Sequence, residues 1–357
     1  MGSAASSVTQ GCEKLGEWWT TYGQHPSHID VHGATYRIDR LVGEGANSFV
    51  YSATDPIGRG KMALKRYQLG DVDARRMFEE ECRIHRNVCP NDYIVAFVDC
   101  GLVSRRDNTF VGAPEEGWLV MEIMEGGSLE VLVNRRLTVG CYFTAFDLLS
   151  MMLQMLCCVS HLHSMSVCHW DIKLGNFLID QGEGALKLCD FGSASTCKYV
   201  CRSRSEVLRA EEELSRVLTY LYRPPETLDL WSGKCVSEKV DVWSLGVAFY
   251  IMIFFEMPFE ENALEIIAGI PKRVDKKTNK LVPPIGKFGE HVVIVDALCA
   301  IIKDMMLVPD PDTRADVFDV WDAMRRVADL VNMTKFPMPS KRPQKVDLRS
   351  RFSDDAP

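Results

Sequence analysis

His169-Trp170-Asp171-Ile172-Lys173-Leu174-Gly175-Asn176, with Asp190-Phe191-Gly192 beginning fourteen residues after Asn176, is the part of the chain on which the rest of the reading turns. The two stretches set a carboxylate, a lysine and an amide at fixed offsets and add a second carboxylate a short hairpin away. Asp171 can take a proton from a hydroxyl. Lys173 can lie against negative charge as it develops. Asn176 and Asp190 offer hard oxygen atoms of the kind Mg²⁺ accepts, so both are candidate metal ligands. His169 reads as a packing and hydrogen-bonding residue that holds the loop, not as a general base.

Working back toward the start, Tyr36–Val42 alternates as a strand, Gly43-Glu44-Gly45-Ala46-Asn47-Ser48 turns, and Phe49–Ala53 returns. The glycines let backbone N–H groups approach a phosphate with no Cβ in the way. Ser48 stands where a third glycine is common, and alone the pattern is weak. It gains weight from Ala63-Leu64-Lys65 on the strand that follows. Residues 71–89 read as a helix with Met77, Ile84 and Val88 at helical spacing. Two more strands are expected over 93–121, joined by a polar loop, Ser104–Glu116. A long apolar helix is expected over 143–164. His161 and His163 near its end face different sides, so they do not suggest a shared metal.

The bulk numbers fit this outline. The 357 residues suffice for one two-lobed domain with short tails, and 46% hydrophobic with 25% charged is an ordinary globular balance. A net charge of −8 speaks against a dedicated nucleic-acid binder. The 13 cysteines show no C-x-x-C pair and no regular spacing, so free thiols in a reducing cytoplasm are expected. The longest apolar run, around Val247–Phe255, is far short of the ~18–20 residues of a membrane span.

Taken together, residues 36–330 resemble a eukaryotic protein kinase. The carrying motifs are Gly43–Ser48, Ala63–Lys65, His169–Asn176, Asp190–Gly192, Tyr222-Arg223-Pro224-Pro225-Glu226 and Asp310–Arg314. Within that superfamily the chain is most similar to the numb-associated kinases, the group of the adaptor-associated and cyclin-G-associated kinases. Asp190-Phe191-Gly192-Ser193-Ala194, a helix over Ala210–Leu218, and Tyr222 through Lys234 carry that narrower likeness, with Pro258-Phe259 and Pro309–Arg314. The resemblance implies an α+β bilobal fold, with a β-rich N-lobe over 36–121, a hinge over 122–127 and a helical C-lobe over 128–330.

It also implies a site for ATP and Mg²⁺. Leu41, Gly43, Glu44, Gly45, Ser48 and Val50 would surround the nucleotide, Ala63 would cap the adenine, and Lys65 would bridge the α- and β-phosphates. Glu81 would orient Lys65, with Glu80 as the fallback. Met121 would stand behind the adenine, Glu122 and Met124 would bond its edge, and Leu178 would close its floor. Gly126 and Gly127 would permit the bend into the second lobe. Asp171, Lys173, Asn176 and Lys65 form the catalytic set. Residues 193–226 would be the activation segment, with Thr219 touching Asp171 and Lys173 and favouring serine or threonine acceptors. Asp241 would tie down the catalytic loop, and Arg314 would pair with Glu226. Cys189 borders the nucleotide and reads as a small apolar filler.

Two positions depart from the family. Trp170 stands where arginine is common, and Pro224 where alanine is. That arginine usually pairs with a phosphate on the activation segment, which indole cannot do, so activity without such phosphorylation is expected. Residues 270–290, with Lys272, Arg273, Lys276, Lys277 and Lys280 and three prolines, read as an exposed insert. Residues 1–35 read as a tail whose Met1-Gly2-Ser3-Ala4-Ala5-Ser6 fits the N-myristoylation pattern, with Cys12 a weaker second acyl site and an untethered tail the alternative. Residues 331–357 are expected to be a disordered tail. The expected partners are proteins bearing serine or threonine, with the chain working as a cytoplasmic monomer, tethered to membrane if Gly2 is acylated. A scaffold that binds without turnover and a small-molecule phosphotransferase remain as alternative readings. The activation segment and the Glu226–Arg314 pairing speak against the last.

Overall fold

Alternating strands build the first of two units into which the chain divides. That unit comprises residues up to Arg75 and Val98–Ile123, and the second comprises Arg76–Phe97 and Met124 onward. The computed structural model describes residues 26–45, 48–55, 57, 60–104, 115–182, 184–196, 198–333 and 339–340. Gly2 and Cys12 lie outside them.

In chain order the elements begin with β1 (His28–Val31), β2 (Ala34–Glu44), β3 (Ser48–Asp55), β4 (Gly60–Leu69), α1 (Val72–Val88), β5 (Phe97–Ser104) and β6 (Glu115–Glu122). The strands form one six-stranded sheet in the order β1-β2-β3-β4-β6-β5. β1 falls within the stretch read as a tail. It pairs with β2 through a two-residue turn in which His32 (φ 50°) and Gly33 (φ 82°) are both left-handed, the geometry that matches strand twist. One face of the sheet buries Tyr36, Ile38, Tyr51, Ala53, Leu64 and Trp118. Beside it Arg66 and Glu116 form a buried ion pair at 2.5 Å, and Glu116 also accepts from the Trp118 indole at 3.2 Å.

α1 starts where the Asp71 side chain accepts from the N–H of Ala74, at 2.7 Å. Its buried face carries Phe78, Glu81, Cys82, Ile84, His85 and Val88. Met77, expected on that face, is 56% exposed. Two adjacent apolar residues compete for one stripe, and Phe78 takes it, three, four and seven residues before the buried Glu81, Cys82 and His85.

The larger unit continues with α2 (Leu129–Thr138), α3 (Ala145–Ser164), the hairpin β7 (Phe177–Ile179) and β8 (Leu186–Leu188), α4 (Arg204–Val217), α5 (Lys239–Phe254), α6 (Ala263–Ala268), α7 (Val292–Ile301) and α8 (Val317–Leu330). α3 begins with a capping box between Thr144 and Asp147. Its 20 residues are apolar enough to cross a membrane by length and composition, but most are buried in the unit's core against α5, α7 and α8. α5 is buried along its whole length and ends on Phe255 in the left-handed region, φ 55°. His161 and His163 go separate ways. The first bonds Val88 O and Ser340 Oγ, and the second bonds Asp241.

Two expectations need correction. The 270–290 stretch is exposed over Asp275–Lys280 and Ile285–Lys287, as expected, but it is also tied down: Leu281 and Phe288 are buried, Val274 bridges Leu281, and Lys272 and Arg273 pair with Glu260 and Glu256. The tail assignment begins too early, because Val331 and Met333 pack against the core of the larger unit. Their apolar side chains extend the buried stripe of α8 past its last turn.

Candidate active site

In the larger unit, the segment after α3 turns sharply and is held from below by one carboxylate. Asp241, wholly buried at the start of α5, accepts from His169 N at 2.8 Å, Trp170 N at 3.0 Å and His163 Nε2 at 2.9 Å. These bonds fix Trp170 at φ 66°, a left-handed backbone that a bulky residue keeps only where its surroundings over-determine it. Burial pushes the Asp241 carboxyl up, but the His163 bond and charge outweigh it and hold the group below the ordinary carboxylate range.

With the loop fixed, its polar side chains converge. Thr219 Oγ1 donates to Asp171 Oδ1 at 2.6 Å, and Lys173 Nζ reaches Asp171 Oδ2 at 2.7 Å and Thr219 Oγ1 at 3.3 Å. Asn176, presented by a single 3₁₀ turn, donates from Nδ2 to the Asp171 carbonyl at 2.8 Å. That orientation leaves its Oδ1 turned away from Asp171 and available to a cation. Asp171, Lys173, Asn176 and Thr219 are therefore one hydrogen-bonded cluster, although Thr219 is 48 residues from Asp171 in sequence.

The hairpin explains the fourteen-residue spacing. Phe177 pairs with Leu188, and Cys189 N donates to Asn176 O at 2.9 Å, so Asn176 and Asp190 leave the same end of β7–β8. Asp190 is exposed, with φ 65°. A Cβ on Gly192 would lie 3.1 Å from Glu81 Oε2 and 3.4 Å from Asp190 Oδ1, so glycine here lets the backbone run beside both carboxylates. One amide oxygen and one carboxylate suit Mg²⁺, which keeps several waters and takes its other ligands from phosphate. Cys189 is half-buried, its Sγ 3.3 Å from Asn176 O.

Phe191 is buried between two imidazoles, 4.8 Å from the ring of His85 on α1 and 5.5 Å from that of His169. His85 Nε2 in turn bonds Val95 O at 2.7 Å. The sequence reading missed His85. The only trace was its i+4 relation to Glu81, which puts both on one helix face. Glu81 is 3% exposed, whereas Glu80, the fallback, is only half-buried and bonded to Arg83.

Trp170 fills the space beneath the activation segment. Its indole N–H donates to Ser195 Oγ at 3.1 Å, and its ring meets the edge of Tyr199 at 5.7 Å. Around it pack Val207, Ala210 and Leu214 from α4, with Leu218, Leu230 and Val240. α4 starts six residues before the expected Ala210, at Arg204, because Ser203 and Glu206 form a capping box. The segment closes on Glu226, whose carboxylate holds Arg314 by two bonds of 2.7 and 2.8 Å.

At the N-terminal end of the larger unit, Gly126 N donates to Ile179 O and Ile179 N to Gly127 O, which lays the hinge segment along β7 beside Leu178. A Cβ on Gly126 would sit 2.3 Å from Ile179 O, so no other residue fits. Gly127 takes φ 76°. Met124 is half-buried.

In the smaller unit the expected nucleotide residues fall on adjoining strands. Gly43 pairs with Val50, Val50 with Lys65, and Ala63 with both Ser52 and Met121. Opposed residues share a face, so Val50, Ala63, Lys65 and Met121 lie on one side of the sheet. Glu122 pairs with Met62. Gly45 N donates to Ser48 O at 2.8 Å, and a Cβ on Gly45 would come within 2.9 Å of Ser48 Oγ. Glu44 is exposed. Leu41 differs: it pairs with Tyr51 and packs with the apolar cluster on the opposite face, beyond a register shift before Gly43.

Comparison with known proteins agrees with this geometry. The family described as protein kinase domain matches residues 36–323. A probable serine/threonine-protein kinase of Dictyostelium discoideum is 32% identical over 80% of this chain and 24% of its own length. A second from the same organism is 26% identical over 91% of this chain and 38% of its own. The serine/threonine-protein kinase AKL1 of Saccharomyces cerevisiae is 28% identical over 78% and 23%. The chain thus spans between 23% and 38% of the length of these relatives.

Proposed function

Because the chain belongs to the protein kinase domain family, we propose that it transfers the γ-phosphate of ATP to serine and threonine hydroxyls of protein substrates. The observation that carries this reading is the bonding of Thr219 to both Asp171 and Lys173, which joins the activation segment to the catalytic loop. Bound Mg²⁺–ATP would supply the electrophilic phosphoryl group and the cation that neutralises it. Asp171 orients the acceptor hydroxyl and takes its proton. Lys173, held 2.7 Å from Asp171, places positive charge where the transferred group gathers negative charge. Asn176 Oδ1 and Asp190 would hold the metal. In the smaller unit Lys65 would take the α- and β-phosphates.

Peptide-library phosphorylation with labelled ATP tests the reading. Label should enter serine and threonine, not tyrosine. Asp171→Ala should lower kcat by ~10²–10⁴, the usual contribution of a positioned base. Unchanged turnover in that variant would sink the assignment.

The narrower reading is a kinase of the numb-associated type acting on vesicle-traffic adaptors. The motifs from Tyr222 to Lys234 and the placement of α4 inside the activation segment support it. We propose further that Gly2 carries a myristoyl group, giving a cytoplasmic monomer marginal hold on membranes. Incorporation of a myristate analogue, abolished in Gly2→Ala, checks this.

A further inference from the structure

A concave surface lies on the larger unit, and none of its residues belongs to the catalytic cluster. It is a groove of about 420 Å³ lined by Tyr142, Phe254, Val282 and the Pro283-Pro284 pair, with Arg273 and Lys287 at its edges. On its rim Ile285 is 94% exposed, a large apolar side chain with almost no cover. Lys287 Nζ stands 5.0 Å over the Tyr142 ring. The adjoining turn, closed by the Val274–Leu281 bridge, carries Lys276, Lys277 and Lys280, all exposed. These four lysines have no acidic partner among the described residues. The nearby acids are committed elsewhere: Glu256 to Arg273, Glu260 to Lys272, and Asp275 to the backbone N–H groups of Lys277 and Thr278.

We propose that this groove docks a linear segment of protein substrates in which apolar side chains alternate with acidic ones. The proposal rests on the kinase reading for the word substrate, and on the groove alone for the ligand chemistry. The apolar floor takes inserted side chains, and the uncompensated lysines, local exceptions in a chain of net charge −8, take the carboxylates. Pro283 and Pro284 have no N–H, so the wall offers no strand edge and recognition must come from side-chain insertion. Concavity favours a peptide over a flat bilayer.

The test uses the full chain and a short fluorescein-labelled peptide with leucines set among glutamates. Anisotropy should report binding, and Ile285→Asp combined with Lys287→Glu should weaken it by at least ~tenfold, as loss of an anchor and its charge partner does. In kinetics, a serine acceptor peptide joined to the same segment by a Gly/Ser linker should show a KM at least ~tenfold below that of the acceptor alone, with kcat unchanged. The variant should lose that advantage while phosphorylating the unjoined acceptor normally, which shows that it is folded. Equal peptide binding by wild type and variant, or equal KM for joined and unjoined acceptors, overturns the proposal. So does binding seen only to phosphatidylserine vesicles, or peptide binding seen only after residues 341–357 are removed, which would give the groove to the chain's own segment. If wild type phosphorylates nothing, the kinase reading fails, and anisotropy still decides the groove.

Discussion

Asp241 shows how one side chain can govern a site that it does not enter. It bonds three groups of the catalytic loop and its support, and Asp171 stands two residues beyond the first of them. Burial alone would raise its pKa, but the bond and charge of His163 and the His169 N–H hold it below the ordinary carboxylate range. The folded state therefore binds this proton less readily than the unfolded chain. The stability it contributes is present in full above the ordinary aspartate value and is lost as pH falls through the lower folded value. Asp241→Asn should cost about 1–3 kcal/mol at neutral pH, as loss of charge-assisted bonds does. The gap from wild type should narrow as pH drops below ~4. Urea unfolding at several pH values measures this, and a gap constant with pH would exclude it. Trp170 carries the second prediction at this scale. Its indole N–H is bonded to Ser195 Oγ and its ring packs against α4, so the side chain offers no positive charge to a phosphate on the activation segment. Phosphatase-treated protein should keep its activity. Trp170→Ala should cost ~3–5 kcal/mol, as deletion of a buried aromatic does. Activity abolished by phosphatase and restored by phosphorylation of a mapped site in 193–226 would refute the first part. The grouping of Asp171 with Lys173 and Asn176 was legible in the sequence because these partners are local, and a motif records local offsets. The apolar surroundings of Trp170 were not, because they come from five separate segments.

Among the elements, the activation segment shows how ends matter more than middles. It leaves β8 through Asp190 and Gly192, is held along α4 by the Trp170 cluster, and is anchored at Glu226. Glu226 and Arg314 are fully buried, with the Arg314 guanidinium 5.0 Å over the Trp243 ring and Nε bonded to Val308 O. Arg314→Ala should destabilise the fold by ~3–5 kcal/mol, since it leaves a buried carboxylate unpaired. Replacing both residues with leucine should cost less than that single change, by the same reasoning. Denaturant midpoints of the single and double variants decide it, and equal midpoints for wild type and Arg314→Ala would refute the anchor. Both partners were legible because each sits in a recognisable run, Tyr222–Glu226 and Asp310–Arg314. β1 was not, since its four residues, His28–Val31, become a strand only by pairing with β2. Phase was the other obstacle. Met77 and Phe78 differ by one position, about 100° around a helix, and only what the helix packs against selects between them.

At the scale of the whole chain, the two units differ in how much apolar surface each encloses. The smaller one rests on a single sheet face with residues such as Tyr51, Leu64 and Trp118. The larger one wraps α3 and α5, whose side chains are buried on nearly every side, and adds α7 and α8 around them. Opening free energy follows buried apolar area, so the sheet should open locally at lower cost than the helical core. Hydrogen exchange should therefore run fastest in β1–β3 and slowest in α3 and α5. On the proposed kinase reading Mg²⁺–ATP would bind the native state alone, so saturating amounts should slow exchange, raising the opening free energy by RT ln(1 + [L]/Kd), about 2.7 kcal/mol at a hundredfold excess over Kd. The slowing should be strongest around Gly43–Val50, at Lys65 on β4 and in the stretch from Cys189 to Gly192, because those backbones would lose most freedom to the phosphates and the metal. Adenosine lacks the phosphates and should protect β6 and the Gly126-Gly127 segment while leaving the turn after β2 and the 189–192 stretch exchanging as before. Equal protection of both regions by the two ligands would separate phosphate binding from these residues and remove Lys65 and Asp190 from the proposed chemistry.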